Sequence, residues 1–212
     1  FRRQRQMCIR DRFTEGNGDY TVVGYQQIQG DQYAALYSEI LTVELENDFL
    51  PFLYPNQYVN FTPDSKASQL ALSLIDEDTV DVDALQQIYD YVVSNLTYDY
   101  EKADTVTTGY LPDVDETLKT GTGICFDYAA LTTAMLRSCD IPCKLQIGYA
   151  GDIKHAWIDV YIRSKGWVNQ AVSFKGDTWT LMDPTFDSNS DDKEAIQDYI
   201  GDESNYTVQF TR

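Results

Sequence analysis

The chain has 212 residues, with 34 Asp+Glu against 16 Lys+Arg and a single His, a formal charge of −18 at pH 7. That surface repels phosphate and so excludes nucleic acid and anionic membranes as partners. Its 43% hydrophobic and 13% aromatic content excludes a disordered acidic tail. The absence of any run of about 18 apolar residues argues against membrane insertion.

The charge is uneven. Residues 1–12 (FRRQRQMCIRDR) carry a local charge of +4, so the remaining residues hold −22. A break this sharp predicts that 1–12 is a non-native basic leader outside the folded unit, and that Cys8 has no role. Residues 13–64 are expected to form an N-terminal helical or loop extension, and 65–212 the main domain. Within the extension, Tyr33, Leu36, Tyr37, Ile40 and Leu41 recur at helical spacing and predict a helix over Asp31–Thr42. The aromatic, Pro-containing stretch from Phe49 to Pro63 predicts a loop with a short strand.

Helical periodicity returns over Ser65–Ile75. It is strongest over Asp81–Leu96, where Leu85, Ile88, Tyr89, Val92, Val93 and Leu96 form one stripe. Thr97–Thr122 reads as a loop with a helical turn near Asp113–Lys119. A second strong helix spans Cys125–Cys139, with Ile124, Tyr128, Leu131 and Met135 on one stripe. It starts after Thr-Gly-Thr-Gly and stops before Pro142. The period then changes to two. Lys144–Ala150, His155–Arg163, Gly166–Val172 and Trp179–Asp183 read as strands joined by Gly-containing turns, followed by a short helix over Asp191–Tyr199 and a strand over Tyr206–Phe210. Helices first and hairpins later predict an α+β fold with an antiparallel sheet.

Three residue types carry potential chemistry. Cys125 falls in the first turn of its helix, where free N–H groups and the helix dipole favour a thiolate nucleophile. A small helix-facing cysteine is the plain alternative. His155 begins the strand HAWIDVYI, in which Ala156, Ile158, Val160 and Ile162 form the core face. The histidine therefore shares the other face with Trp157, Asp159 and Tyr161. Asp183 ends a strand beside Trp179 and Leu181, where a carboxylate needs a partner such as imidazolium; Asp187 is the alternative. Asp127, two residues after Cys125, is expected to cap the helix start. A zinc site from Cys125, Cys139, Cys143 and His155 has the ligand number but no Cys-x-x-Cys pair. Cys139 and Cys143 suit two small buried residues better than a local disulfide. No metal or cofactor is expected.

The order Cys125, His155, Asp183, with spacings of 30 and 28 residues, matches the papain-like arrangement of nucleophile, base and orienting acid. The segments GICFDYAALTTAMLRSCDIPC, HAWIDVYI, GW and WTLMDPTFD together resemble the transglutaminase-like superfamily in its bacterial form, over roughly Asp81 to Asp187. The resemblance implies a papain-like core in which the nucleophile helix packs on an antiparallel sheet. It implies a thiol enzyme with Cys125 as nucleophile, His155 as general base and Asp183 as orienter, acting on peptide or glutamine-type amides through an acyl-thioester. Trp157 would shield the ion pair, and Tyr98 is the oxyanion candidate. Hydrolysis is favoured slightly over transamidation, with a protein or peptide as substrate. The acidic surface and the resemblance suggest an extracellular or cell-surface setting. The rival reading is a non-catalytic surface module of the same fold that binds protein or wall polymers, with Phe49–Phe61 docking a partner.

Overall fold

The computed structural model describes residues 13–76, 79–169, 172–175, 178–181 and 206–212. The chain opens with a ribbon of two antiparallel strands, β1 (Gly18–Gln29) and β2 (Gln32–Val43). A 3-10 turn at Leu50–Phe52 follows, then helices α1 (Lys66–Leu74) and α2 (Asp81–Asn95). The short strand β3 (Thr97–Tyr98) precedes α3 (Tyr100–Thr105), α4 (Val114–Thr120) and the short strand β4 (Thr122–Gly123). Helix α5 (Cys125–Ser138) leads into β5 (Cys143–Ala150), β6 (Ile153–Ile162) and β7 (Gly166–Val168). A small hairpin of β8 (Val172–Lys175) and β9 (Thr178–Leu181), and strand β10 (Tyr206–Thr211), complete the described elements. The fold is α+β, as the period change in the sequence predicts.

The main sheet is antiparallel, in the order β10-β5-β6-β7. Helix α5 lies on it and also touches α1, α2 and α4. The sequence pattern predicts one apolar stripe on α5, but every residue from Asp127 to Arg137 is buried. A helix covered on all sides has no solvent face to pattern against, so Thr132, Thr133 and Arg137 sit inside alongside Leu131 and Met135. Arg137 is satisfied by backbone carbonyls. Its Nε and Nη2 donate to Cys143 at 3.0 and 2.8 Å, Nη2 also to Arg212 at 2.9 Å, and Nη1 to Tyr54 at 2.9 Å. One guanidinium thus ties the end of α5 to β5, to the segment after the 3-10 turn, and to the residue following β10.

The close approach of β10 to β5 depends on Gly148. A Cβ there would stand 2.0 Å from the carbonyl oxygen of Thr207 and 3.0 Å from the Trp157 ring. The pairing brings Phe210 opposite Ile147. Gly148 also faces His155 across β5 and β6.

Several expectations need correction. The helix expected over Asp31–Thr42 is strand β2. Its register with β1 shifts between Gly24 and Tyr25, where Leu36 is an extra residue on β2. That bulge breaks the two-residue alternation and leaves a spacing that imitates a helix. The N-terminal extension is therefore a β-ribbon followed by a loop. The loop from Phe49 to Pro63 contains the 3-10 turn and no strand. Of its aromatic residues, Phe52 and Phe61 are buried and Phe49 packs on Tyr161 at 4.4 Å between ring centroids, whereas Tyr54 is exposed. The loop expected between Thr97 and Thr122 holds α3 as well as the helical turn that became α4. The strand expected over Gly166–Val172 is divided between β7 and β8. On the face of β6 opposite its core face, His155, Trp157 and Asp159 are also buried and Tyr161 is half-buried. The expected leader 1–12, Asp183, Asp187 and the helix over Asp191–Tyr199 lie outside the described residues.

Candidate active site

The site begins at the N-terminus of α5. Strand β3 pairs in parallel with β4, Thr97 opposite Thr122 and Tyr98 opposite Gly123, and the N–H of Asp99 donates to Gly123 at 2.9 Å. The short pairing sets Tyr98 beside the turn into the helix. Asp127 folds back over that turn and accepts from the Ile124 N–H at 2.9 Å, satisfying one of the free donors of the first turn. Gly123 leaves room for it, because a Cβ there would meet the Asp127 Cβ at 2.6 Å. Asp127 therefore acts as the cap that the sequence predicts.

Asp127 does more than cap. Its carboxylate is fully buried and accepts from Lys102 Nζ at 2.7 Å and from the Tyr110 hydroxyl at 2.5 Å, while Lys102 also donates to that hydroxyl at 2.7 Å. Burial opposes the charge on Lys102, but its hydrogen bonds to Asp127 and Tyr110 and the attraction of the carboxylate outweigh this and raise its pKa. Burial likewise raises the Tyr110 pKa, reinforced by the hydrogen bond to Asp127 and only partly offset by Lys102. The three side chains fasten α3 and the loop after it to the start of α5. Sequence reading missed Lys102 and Tyr110. The only local signal was Asp99, which caps α3 by accepting from the Lys102 N–H at 2.8 Å.

That fastened loop forms one wall of a cavity of about 740 Å3. Cys125, His155 and Tyr98 all line it. Cys125 is half-buried and reduced, while His155 is 6% exposed on β6. The indole of Trp157 lies nearly parallel to the imidazole, 16° between planes and 6.4 Å between centroids, and makes an edge contact with Tyr206 at 5.1 Å. Trp157 is itself buried. The Tyr98 ring packs on Tyr100 and Tyr128, at 5.0 and 6.4 Å. Asp159, further along the same strand, accepts from Gln146 Nε2 at 2.5 Å. The structure thus brings Cys125, His155 and Tyr98 to one cavity, with Trp157 beside the imidazole.

The remaining described cysteines lie elsewhere. Helix α5 is about 20 Å long, which separates Cys125 at its start from Cys139 just beyond its end. The four residues weighed for zinc therefore do not converge, and no described group of His, Cys, Asp and Glu is arranged to hold a metal ion. Cys139 and Cys143 are not bridged. Burial pushes the Cys139 thiol up to about 11, with Asp140 adding to it, and the Cys143 thiol up to about 12. No described helix is long and apolar enough to cross a membrane.

The chain is similar to several known proteins. UPF0252 protein MJ1282 of Methanocaldococcus jannaschii is 30% identical over 113 residues, which is 50% of this chain and 30% of that relative. The chain thus spans less than a third of the curated protein it matches. The crystal structure named "Putative Cysteine Protease from Cytophaga hutchinsonii" superposes with a TM-score of 0.52 at 18% identity, over 96% of this chain and 73% of that one, and shares its fold. The periplasmic domain of TgpA from Pseudomonas aeruginosa has a TM-score of 0.42 at 19% identity, over 52% of this chain and 43% of that one. The sequence model of the transglutaminase-like superfamily matches residues 68–184, from α1 past β9 and so across both Cys125 and His155. With more than half of its length inside that match, and with the helix-on-sheet core to go with it, the chain belongs to the transglutaminase-like superfamily.

Proposed function

We propose that this domain is a cysteine acyl-transfer enzyme acting on peptide or glutamine-type amides, with hydrolysis favoured over transfer to an amine. The observation that carries the reading is the convergence of Cys125 and His155 on one cavity from two different elements, a helix start and a strand. Thiol catalysis requires a base that can reach the sulfur, and a shared concave surface that also admits a substrate supports that role for the two residues.

In the proposed cycle His155 takes the Cys125 proton and the sulfur attacks the amide carbonyl carbon. The resulting oxyanion is held by the Cys125 N–H, with Tyr98 as the side-chain candidate. Collapse breaks the C–N bond, and the imidazolium gives its proton to the departing amine. Water then attacks the thioester with His155 again as base, releasing the carboxylic acid and the thiol. An amine in place of water would give transamidation. Asp183 is assigned the orientation of the imidazole, and Trp157 the exclusion of water from its flank. The acidic surface fits an extracellular or cell-surface setting.

Trapping tests the reading. The intact chain is incubated with a peptide library and analysed by mass for an adduct on Cys125. An acyl-enzyme that disappears in Cys125→Ala, together with loss of turnover in His155→Ala, is the expected result. Turnover that persists in Cys125→Ala removes Cys125 as the nucleophile, and the absence of both adduct and turnover in the wild-type chain removes the catalytic reading and leaves the binding module.

A further inference from the structure

Beside the proposed nucleophile, the cavity wall is a continuous aromatic band. Phe126 follows Cys125 directly and lies between Tyr110 and Tyr58, each 6.3 Å away between ring centroids. The band continues through Tyr58 to the Arg212 guanidinium, whose carbon stands 5.1 Å from the Tyr58 ring and 5.4 Å from the Phe210 ring. All five side chains line the cavity. Lys154, exposed and adjacent to His155, adds a second cation to the rim, whereas Asp104 is the sole carboxylate among the described lining residues. In a chain of net charge −18, the described residues of this wall place Arg212 and Lys154 against Asp104.

We propose that the site selects peptides with an aromatic or large apolar side chain at the scissile carbonyl and a carboxylate close to it in sequence. The inference rests on the catalytic reading for the position of the carbonyl, and adds the substrate class. A ring placed against Phe126 and Tyr58 loses water from its faces and gains edge or offset contacts with those rings. A neighbouring carboxylate meets Arg212, whose planar group is already held between two rings and loses little freedom on pairing. A short polar or cationic side chain in the same place would give up its hydration to an aromatic surface, and a neighbouring lysine would face two like charges. The fastening of Tyr110 by Asp127 keeps one edge of the band in place. The acidic body outside does not oppose this selection at physiological salt, since exposed charges beyond about 8 Å are screened.

Binding and turnover are measured separately. Cys125→Ala is titrated by fluorescence anisotropy with a labelled, blocked Gly-Glu-Phe-Gly-Gly peptide, and with versions carrying Ala or Ser for the Phe, or Lys for the Glu. The expected result is about tenfold weaker binding of the Ala and Ser peptides, which corresponds to about 1.4 kcal/mol, and a severalfold loss for the Lys peptide. Adding Phe126→Ala to Cys125→Ala removes the difference between the Phe and Ala peptides, and adding Arg212→Gln removes that between Glu and Lys. Equal affinity for all four peptides, or binding of none, overturns the proposed subsite whether or not the wild-type chain cleaves any of them. Selective binding without any Cys125-dependent turnover keeps the subsite and overturns the catalytic reading instead.

Discussion

The ammonium of Lys102 meets the buried carboxylate of Asp127 at 2.7 Å, two residues beyond Cys125. The pair joins a short surface helix to the central helix of the fold. It therefore links stability of the core to the shape of the cavity wall that begins at α3.

Removing one member of that pair leaves the other uncompensated. Asp127→Ala leaves the Ile124 N–H without its side-chain acceptor and Lys102 and the Tyr110 hydroxyl without their carboxylate, and a loss of about 3 kcal/mol is expected, near the lower end for breaking a buried pair. Lys102→Met leaves the carboxylate with two of its three donors, and a smaller loss of about 1–2 kcal/mol follows. Urea midpoints of the two variants measure both values. A neutral result for Asp127→Ala would show that the network carries no net stability.

The same network sets an alkaline dependence. The pKa values of Lys102 and Tyr110 are both raised in the folded chain, so both favour their protonated forms there. Their contribution is fully present below their unfolded pKa values, near 10, and disappears as the pH rises through the folded values. The urea midpoint of the wild-type chain is therefore expected to fall above pH ~10 more steeply than that of a Lys102→Met/Tyr110→Phe double variant. Parallel curves would remove these two groups as the source.

Thiol reactivity separates the three described cysteines. Cys143 is fully buried and its pKa is about 12, and Cys139 is raised to about 11, so both remain thiols at neutral pH. Brief treatment with iodoacetamide at pH 7.5 is expected to label Cys125 in strong preference to the other two, because only the thiolate attacks. Peptide mapping by mass spectrometry reads the outcome. Comparable labelling of Cys143 would mean that the core around it opens readily.

Gly148, opposite His155 on the neighbouring strand, offers a packing test of the sheet that carries the site. A Cβ at that position stands 2.0 Å from a backbone oxygen of β10, which cannot move without releasing the strand. Gly148→Ala is expected to cost about 2–3 kcal/mol by overpacking and to increase amide hydrogen exchange in Tyr206–Thr211. Unchanged exchange there would show that β10 is held chiefly from its other end, by Arg137 and the pairing of Leu145 with Arg212.

Much of the central unit was legible. Helix α2 shows a single apolar stripe because only one side of it meets the core, and the turn at Gly151 and Asp152 separates two strands of matched alternation. The start of α5 was marked by its glycines and by an aspartate at capping distance. Strand β2 was misread because one extra residue, Leu36, dephases its pattern. The informative signal was the Gly30-Asp31 step between two segments rich in Tyr, Val and Ile, with Gly30 at φ 53° in the turn.

The sequence by itself determined the central helix, the hairpin that carries His155 and the order of the cysteine and histidine, because those features rest on local period, turns and caps. Only the tertiary structure decided that Lys102 and Tyr110 belong to Asp127, that Arg137 reaches Tyr54, and that Tyr58 and Arg212 share one wall of the cavity. These contacts join positions 17 to 154 residues apart in the chain. Neither partner leaves a periodic trace in its own segment, since each is stabilised by a group that arrives only when the helix and sheet have packed.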